Sequence, residues 1–224
     1  MHLRKAGESM TDYIISDTHL GHVNILKYEP QRVARVTQYY TSHQDQYPKE
    51  LIGKVIGLGQ RVLDYPEDRE LRKQYIAYHD SAIVHNWNAK VKDTDRVYFL
   101  GDLGFGLDFP NLKGHKIWVK GNHDSTKFMR DNASKFDETY ITGTMLKYAG
   151  VHYYMTHYPM SVGDYGVTSK HISAINLYGH IHKHTVDNPL MFNVGIDAPL
   201  LASLPIGEPL DLRVIYNKVK DLAN

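Results

Sequence analysis

The sequence predicts a layered α/β fold, and two packed sheets are one arrangement open to it. Short apolar runs rich in β-branched and aromatic residues recur along the 224 residues, and most of them end in Gly, Asp, Asn or His. Runs of this length are typical of buried strands. Helical patterns separate the strands in the first part of the chain, whereas the later part is mostly strands. This order favours sheets that are covered by helices.

Eight of these apolar runs are predicted as strands. The pair Ala149-Gly150 lies between two of them and predicts a tight hairpin turn, because two-residue loops that contain Gly are typical of hairpins. In chain order, the predicted strands are 13–15, 97–100, 117–119, 144–148, 151–155, 175–178, 192–194 and 210–216.

Three segments between the runs predict helices. In the segment 71–91, apolar residues return every three or four positions and keep one broad face apolar. The segment 48–63 begins with Pro48 and has a similar pattern, which three glycines weaken. Asp124 or Ser125 is a suitable N-cap for a third helix that continues to about residue 136.

The composition excludes several classes of protein. The chain has no cysteine, which excludes disulfides, thiolate metal sites and cysteine nucleophiles. Its formal charge of +1 argues against a strongly basic nucleic-acid scaffold. No apolar run approaches the roughly 18 residues of a membrane helix, and the first nine residues lack the apolar centre of a signal peptide. We therefore expect one cytoplasmic domain over residues 1–224, with no membrane partner and with the oligomeric state open.

Polar residues of one chemical kind follow the predicted strands. Residues two apart point the same way along an extended segment, so Asp17 with His19, and His180 with His182, can each close on one cation. Carboxylate and imidazole ligands without sulfur suit Mn, Fe, Zn and similar ions. Each block alone is a common turn or surface pattern, but five blocks at strand ends would seldom gather by chance. The seven candidate ligands are Asp17, His19, Asp102, Asn122, His157, His180 and His182.

In this order, the blocks resemble the signature of the calcineurin-like metallophosphoesterase superfamily, which is D-x-H, G-D, G-N-H-[DE], a lone H and G-H-x-H. The resemblance extends from Asp12 to about Asp197, and the chain is most similar to small bacterial and phage-type phosphoesterases. It implies a β-sandwich of two mixed sheets flanked by helices, with metals held by loops at the strand ends. It also implies two divalent ions, with Mn expected first and Fe, Zn, Ni or Mg as alternatives.

The resemblance also implies a role for each residue of the signature. Asp102 would bridge the two ions, which would hold a hydroxide that attacks phosphorus. His123 would be the general acid that protonates the leaving oxygen, and Asp124 would hold its imidazole. The first metal would be bound by Asp17, His19 and His182, and the second by Asn122, His157 and His180.

Several other residues are candidates for substrate contacts or support. His22, three residues after His19, and His184, two residues after His182, could contact the substrate. Asn193 and Asp197 are supports of the metal ligands or part of a turn after the last core strand. The stretch 37–75 is predicted as an insertion, which is a lid that selects the substrate, a surface excursion or a dimer contact.

The leading functional prediction is a dinuclear metal-dependent phosphoesterase that hydrolyses a phosphomonoester or phosphodiester of a small molecule or nucleotide. A protein phosphatase is disfavoured. The resemblance implies that this branch of the superfamily has a phosphate-binding arginine soon after the G-D block, and no basic residue follows Asp102 within 103–107. A nuclease or RNA-end processing enzyme is an alternative, and it predicts a basic strip beside the metals. The lysines and arginines near the signature are scattered, so nucleic acid is a possible but not a favoured partner. A non-catalytic metal-binding scaffold is a further alternative, although all seven candidate ligands are present.

Overall fold

A computed structural model describes residues 10–105, 109–161, 167–168, 171–172 and 174–222. The helices are α1 (Ile25–Tyr28), α2 (Gln31–Ser42), α3 (Lys49–Asp64), α4 (Arg69–Lys90), α5 (Thr126–Asn132) and α6 (Leu212–Leu222). A 3-10 helix, Ala133–Lys135, follows α5. The strands are β1 (Asp12–Ile15), β2 (Arg96–Phe99), β3 (His115–Val119), β4 (Glu138–Tyr140), β5 (Thr144–Tyr148), β6 (Val151–Met155), β7 (Val167–Thr168), β8 (His171–Ile172), β9 (Ala174–Tyr178), β10 (Met191–Asn193) and β11 (Leu210–Asp211).

Two mixed sheets flanked by helices form the body of the protein, as predicted. The first sheet has the order β11-β1-β2-β3-β4, in which only β11 is antiparallel to its neighbour. The second has the order β10-β9-β6-β5, in which only β5 is antiparallel. A parallel bridge between Ser16 and Gly195 joins the segment after β1 to the segment after β10. The carboxyl ends of strands from both sheets therefore meet at one place.

This meeting point gathers the polar blocks of the sequence. Strands β1, β2 and β3 run parallel in one sheet, and β6, β9 and β10 run parallel in the other. In open α/β sheets, ligands bind outside the carboxyl ends of such strands. Each of the five strands that precede a block ends in a buried residue, and in β9 every residue is buried. The apolar runs thus hold the loops that follow them in fixed positions.

The three longest helices pack on one another and form a helical layer, which we define as α2, α3 and α4. The predicted helices 71–91 and 48–63 are confirmed as α4 and α3. Asp68 caps α4 by accepting hydrogen bonds from the backbone N–H groups of the first turn. Gly59 allows α3 to approach α4, because a Cβ there would lie 3.1 Å from the ring of Tyr75. The stretch 37–75 comprises the end of α2, all of α3 and the start of α4, and its role as a lid stays a prediction.

The hairpin prediction is confirmed, with Ala149 (φ 49°) and Gly150 (φ 86°) both in the left-handed conformation of a type I′ turn. The N-cap of α5 is Ser125, whose Oγ accepts from the N–H of Phe128 at 3.0 Å. That helix ends at Asn132 and continues as the 3-10 turn, so the predicted end at about 136 is a few residues too far.

The predicted last strand, 210–216, is right only for its first two residues. Only Leu210 and Asp211 pair with β1, and the chain then enters α6. Leu212, Ile215 and Val219 are the buried residues of this helix. Their spacing of three and four residues is helical, and a short apolar run does not distinguish a strand from the start of such a helix. Within the described ranges, no helix has the length and apolarity needed to cross a bilayer.

Candidate metal centre

The backbone is strained at the candidate ligands. Among the residues that the structure describes, six non-glycine residues have a positive φ, and apart from Ala149 in the hairpin turn all of them are candidate ligands. Such conformations are uncommon for non-glycine residues and persist only where the surrounding structure enforces them, often at functional sites. The five ligands are Asp17 (φ 61°), His19 (φ 53°), Asp102 (φ 56°), His180 (φ 71°) and His182 (φ 49°).

The first group of ligand atoms comes from Asp17, His19 and His182, and these atoms all lie within 4.8 Å of one another. The Asp17 carboxylate is buried and accepts from the backbone N–H of His180, at 3.1 Å and 3.0 Å from its two oxygens. The loop after β1 is thereby tied to the loop after β9. This is the set of three that the resemblance implies for the first metal. His180 lies instead beside Asn122, so the pairing of His180 with His182 on one cation, which their spacing predicts, is corrected.

Asp102 lies between the two predicted metal sets. Its Oδ1 accepts from the backbone N–H of His123 at 2.8 Å. Its Oδ2 is left facing His19 Nε2 at 3.7 Å and His157 Nε2 at 3.5 Å. Asp17, Asp102 and His157 also have ligand atoms within 4.8 Å of one another. One carboxylate oxygen therefore faces a histidine from each predicted set.

The second predicted set also converges. Asn122 Oδ1 lies 2.7 Å from His157 Nε2 and 2.8 Å from His180 Nδ1. His157 Nδ1 lies 2.8 Å from the carbonyl oxygen of Leu100. Because that carbonyl can only accept, Nδ1 of His157 carries the proton and Nε2 has the free lone pair that a metal requires.

The donors fit a divalent cation. His19 Nε2 is buried and has no hydrogen-bond partner among the described residues. Burial lowers the pKa of His19 well below its usual range and lowers that of His157 to about 4, so both stay in the neutral form that binds metals. Burial also raises the pKa of Asp17 to about 7, with a contribution from Asp102. Two buried carboxylates are costly to ionise together unless a cation neutralises them.

Asp124 has a different role from the predicted one. Its buried carboxylate accepts from the backbone N–H groups of Asp102 (2.9 Å), Leu103 (3.0 Å) and Gly121 (2.8 Å) and from Trp118 Nε1 (3.1 Å). Both oxygens are used, and none of these bonds involves the imidazole of His123. The prediction that Asp124 holds that imidazole is therefore corrected, because its neighbours are the N–H groups that shape the Asp102 and Asn122 loops.

His123 and His22 lie together beside the first set. The exposed ring of His123 lies 5.5 Å from that of His19 and 5.9 Å from that of His22. His22 Nδ1 is 3.3 Å from His19 Nδ1, and the ring of Phe105 lies 4.3 Å from that of His22. The structure thus brings His22 to the site, as its spacing from His19 suggests. His184 is exposed, and its backbone carbonyl accepts from Asn193 Nδ2 at 2.7 Å.

Sequence reasoning missed Arg32, which supports His182 through Asp197. The arginine is fully buried, and its Nε and Nη2 lie 2.9 Å and 2.5 Å from the two Asp197 oxygens. Asp197 Oδ2 lies 3.0 Å from His182 Nδ1. Although burial favours its neutral form, Arg32 and His182 hold the pKa of Asp197 well below its usual range. This carboxylate orients His182 and leaves its Nε2 for a metal.

Arg32 also ties the helical layer to the ligand loops. Its Nη2 donates to the carbonyl of Asp17 at 2.7 Å, and its Nη1 donates to that of Thr18 at 2.9 Å. From α4, Asp80 accepts from the N–H of Gly21 at 2.9 Å and lies 2.8 Å from His79 Nδ1. The one sequence signal for Arg32 is its place on the apolar face of α2, in line with Val36 and Tyr39, which are also buried.

Asn193 and two glycines complete the support. Asn193 Nδ2 donates to the carbonyls of His182 (2.8 Å) and His184 and so fixes the last ligand loop. A Cβ on Gly179 would lie 2.0 Å from Ser16 Oγ and 2.4 Å from Asp17 Oδ2. One on Gly121 would lie 2.2 Å from Asp102 Oδ1. Any side chain at these two positions would displace a candidate ligand.

Nitrogen and oxygen donors gathered where the strands of two mixed sheets end define a metal-binding α/β protein. The model of the calcineurin-like phosphoesterase superfamily domain matches residues 78–200. The chain therefore belongs to the calcineurin-like phosphoesterase superfamily, and this membership implies a hydrolase that cleaves phosphoesters with the help of divalent metals.

Two curated relatives and one solved structure are similar to the chain. Uncharacterized protein MJ1445 of Methanocaldococcus jannaschii is 23% identical over 211 residues, which cover 91% of this chain and 90% of that protein. Gene 66 protein of Mycobacterium phage D29 is 28% identical over 152 residues, or 54% and 76% of the two chains. The crystal structure of AQ665 from Aquifex aeolicus, a protein of unknown function, covers 93% of this chain and 99% of its own, with a TM-score of 0.57 and 19% identity. That last likeness concerns the fold alone.

Proposed function

We propose that the protein is a dinuclear metal-dependent phosphoesterase that hydrolyses a phosphomonoester or phosphodiester of a small molecule or nucleotide. The observation that carries this proposal is the position of Asp102 Oδ2, which faces His19 Nε2 at 3.7 Å and His157 Nε2 at 3.5 Å. A carboxylate shared by two histidine-containing sets supports two ions rather than one. Metal pairs in such enzymes lie about 3.5–4 Å apart.

The donor chemistry supports the choice of metals. The converging atoms are carboxylate and amide oxygens and imidazole nitrogens, and the chain has no cysteine. Such a set suits Mn²⁺, which we expect first, and also Fe, Zn, Ni or Mg. When bound, a pair of these ions would neutralise the phosphoryl oxygens and activate water.

The residues of the chain would divide the remaining work. His123, whose ring is exposed beside the first set, would hold the proton that the leaving oxygen receives. Asp124 would fix the loops that carry Asp102 and Asn122, through its four N–H partners. His22 would bind a phosphoryl oxygen next to His123, since the two rings lie 5.9 Å apart.

Aromatic rings border the site on two sides, which supports an ester with a flat leaving group, such as a nucleotide. Phe105 lies against His22 and 5.5 Å from the His123 ring. On the opposite side, the Tyr158 ring lies 4.7 Å from His180 and is 51% exposed. An exposed ring beside the ligands is a surface on which a base can stack.

Hydrolysis of p-nitrophenyl phosphate and bis-p-nitrophenyl phosphate by metal-stripped protein with Mn²⁺ added back tests the proposal. We expect Mn²⁺-dependent turnover and two ions per chain by elemental analysis, with at least a ~10³-fold loss of turnover in Asp102→Asn. Asp45→Asn is the matched control, because Asp45 is exposed on the loop between α2 and α3. Two bound ions without turnover would favour the scaffold alternative, and full activity in Asp102→Asn would contradict the dinuclear centre. The ratio of the two rates separates monoesterase from diesterase.

A further inference from the structure

A cavity outside the metal centre lies between α2 and the loop 202–206. It has a volume of about 380 Å³, which is within the range of small-molecule sites. Its wall is formed by one face of α2, by Asn86 of α4 and by the loop 202–206. None of the seven candidate metal ligands lines it, so the metal centre does not account for it.

The charge of the cavity is positive. Arg35 lines it, together with His43, and no acidic residue does. The Arg35 guanidinium donates to the carbonyls of Ile196 (Nη1, 2.6 Å) and Leu204 (Nη2, 3.1 Å), and it is paired with no carboxylate among the described residues. Carbonyl oxygens satisfy N–H groups without neutralising the positive charge, and the nearby Asp197 carboxylate, which offsets part of it, is itself paired with Arg32. Burial lowers the pKa of Arg35 to about 10, so the group keeps its charge at neutral pH.

The same arginine has an unused donor. Its Nε is buried and has no hydrogen-bond partner among the described residues. Buried donors are nearly always paired, so this guanidinium keeps hydrogen-bonding capacity that the protein itself does not use. The described residues hold three other buried polar atoms without a partner, which are His19 Nε2 in the metal centre, Arg72 Nε and Tyr153 Oη.

The remaining wall is partly polar, through Gln38, Ser42 and Asn86, and partly apolar. Tyr39 is 4% exposed, and its ring lies 4.6 Å from that of His43. His43 Nδ1 lies 2.8 Å from the Tyr39 carbonyl, which leaves Nε2 of His43 outside that bond. Leu204, Pro205 and Ile206 form the facing wall, and the exposed Ser203 lies at the rim. The cavity thus offers a cation at one end and apolar walls for a ring.

We propose that this cavity binds a small organic anion in which a phosphate or carboxylate group is joined to a flat apolar body. The anionic group is received by Arg35, and the body lies between Tyr39 and the 204–206 wall. Arg35 and Arg32 are one turn apart on α2, and they hold neighbouring residues, Ile196 and Asp197. A ligand on Arg35 therefore contacts the same helix that supports His182 through Arg32 and Asp197.

Titration calorimetry on the Mn²⁺-loaded full chain, with phenylphosphonate and benzoate as probes, tests the proposal. Neither probe is a phosphoester that the metal centre could hydrolyse, and inorganic phosphate is the third probe, which lacks the apolar body. Ser203→Trp fills the cavity from its rim, and Val214→Trp is the matched control, on an exposed position of α6. Asp102→Asn separates this site from the metal centre.

We expect benzoate, which has no phosphoryl oxygens, to bind to wild type, Val214→Trp and Asp102→Asn with affinities within about twofold of one another. Ser203→Trp and Arg35→Gln should each weaken benzoate binding at least tenfold. Phosphoryl oxygens can also bind at the metal centre, so phenylphosphonate and inorganic phosphate are compared in Asp102→Asn, where inorganic phosphate should bind at least tenfold more weakly. Arg35→Gln also removes bonds to the 196–204 loop, so Ser203→Trp is the decisive variant. Unchanged binding in Ser203→Trp, loss of binding in Asp102→Asn, or no binding to wild type at millimolar probe would overturn the proposal.

Discussion

The seven candidate ligands, which we call the metal-binding edge, differ in their hydrogen bonding from Arg32, the buried arginine of the helical layer that supports them. At the edge, the backbone of five ligands is strained, and ligand atoms such as His19 Nε2 and Asp102 Oδ2 face one another without hydrogen bonding. In the layer, Arg32 is equally buried, but its guanidinium makes ion-pair and hydrogen-bond contacts with Asp197, Asp17 and Thr18.

This difference indicates that the edge carries the chemistry and that the layer holds the ligands in position. Atoms left unpaired at the edge are the ones that a cation can use, so changes there should remove activity and leave the fold largely intact. Groups that are fully paired in the layer position the ligands, so changes there should reduce stability and activity together. Variants from the two regions can therefore be told apart when both quantities are measured.

The largest effect on stability is expected from Arg32→Met. Breaking a buried ion pair by removing one partner leaves an uncompensated charge, here Asp197, and costs about 3–5 kcal/mol of unfolding free energy. Denaturant unfolding should show this loss, with weaker Mn²⁺ binding in parallel, because His182 loses its fixed partner. Arg61→Met on the exposed face of α3 is the control.

The double variant Arg32→Met/Asp197→Leu sharpens the test. Removing both charges should restore part of the stability but not the Mn²⁺ affinity, since the partner of His182 Nδ1 stays missing. Equal stability of Arg32→Met and Arg61→Met would show that the buried network does not hold the edge in place.

Asp124→Asn should reduce both stability and turnover. Asp124 lies next to the ligands of the edge in sequence, but its carboxylate is fully hydrogen-bonded, as the Arg32 guanidinium of the layer is. An amide nitrogen in place of one oxygen would face N–H donors, and each orphaned donor costs about 1–3 kcal/mol. We expect a lower midpoint of unfolding together with reduced turnover. Unchanged stability, with a loss of turnover equal to that of His123→Ala, would instead support the role of holding the imidazole.

His123→Ala should alter turnover in a way that depends on the leaving group. Nitrophenolate leaves without a proton, so nitrophenyl esters should keep their rate within about tenfold, whereas alkyl esters should lose about 10²–10⁴-fold. Unfolding should be unaffected, because the His123 ring is exposed. His115→Ala is the control for removal of a solvent-accessible imidazole, because its side chain is 42% exposed and it lies at the start of β3, away from the ligand loops. Equal losses on both kinds of ester would argue against proton donation by His123.

The residues that gather at the edge can be predicted from the sequence, because each of them is marked by a pattern within one short segment. Each candidate ligand follows its own apolar run, so the strand and the ligand are read from one short segment, such as Phe99 to Asp102. The parallel order of the strands then brings the segments together. Asp17 and His180, which are 163 residues apart, come into contact in this way.

The layer is harder to predict because its contacts join distant segments. Arg32 and Asp197 are 165 residues apart, and no motif links them. The hydrogen bonds of Asp124 cannot be predicted from its adjacency to His123, because that adjacency does not decide which N–H groups surround the Asp124 side chain. The run from Leu210 to Tyr216 is too short to show a helical or strand period, so the sequence does not distinguish the start of α6 from a strand.

The smallest effect is expected from Tyr158→Ala, which removes a contact of the edge with the substrate and leaves every candidate ligand in place. Aromatic contacts of this kind contribute about 0.5–1.5 kcal/mol, so KM for a nucleotide ester should rise about 2–12-fold while kcat stays within twofold. Tyr158→Phe keeps the ring and should behave as wild type. Because the Tyr158 ring also touches His157 and His180, Mn²⁺ affinity must be measured in both variants. A fall in kcat with weaker Mn²⁺ binding would place Tyr158 among the supports of the metal ligands, and an unchanged KM would show that the flat part of the substrate lies elsewhere.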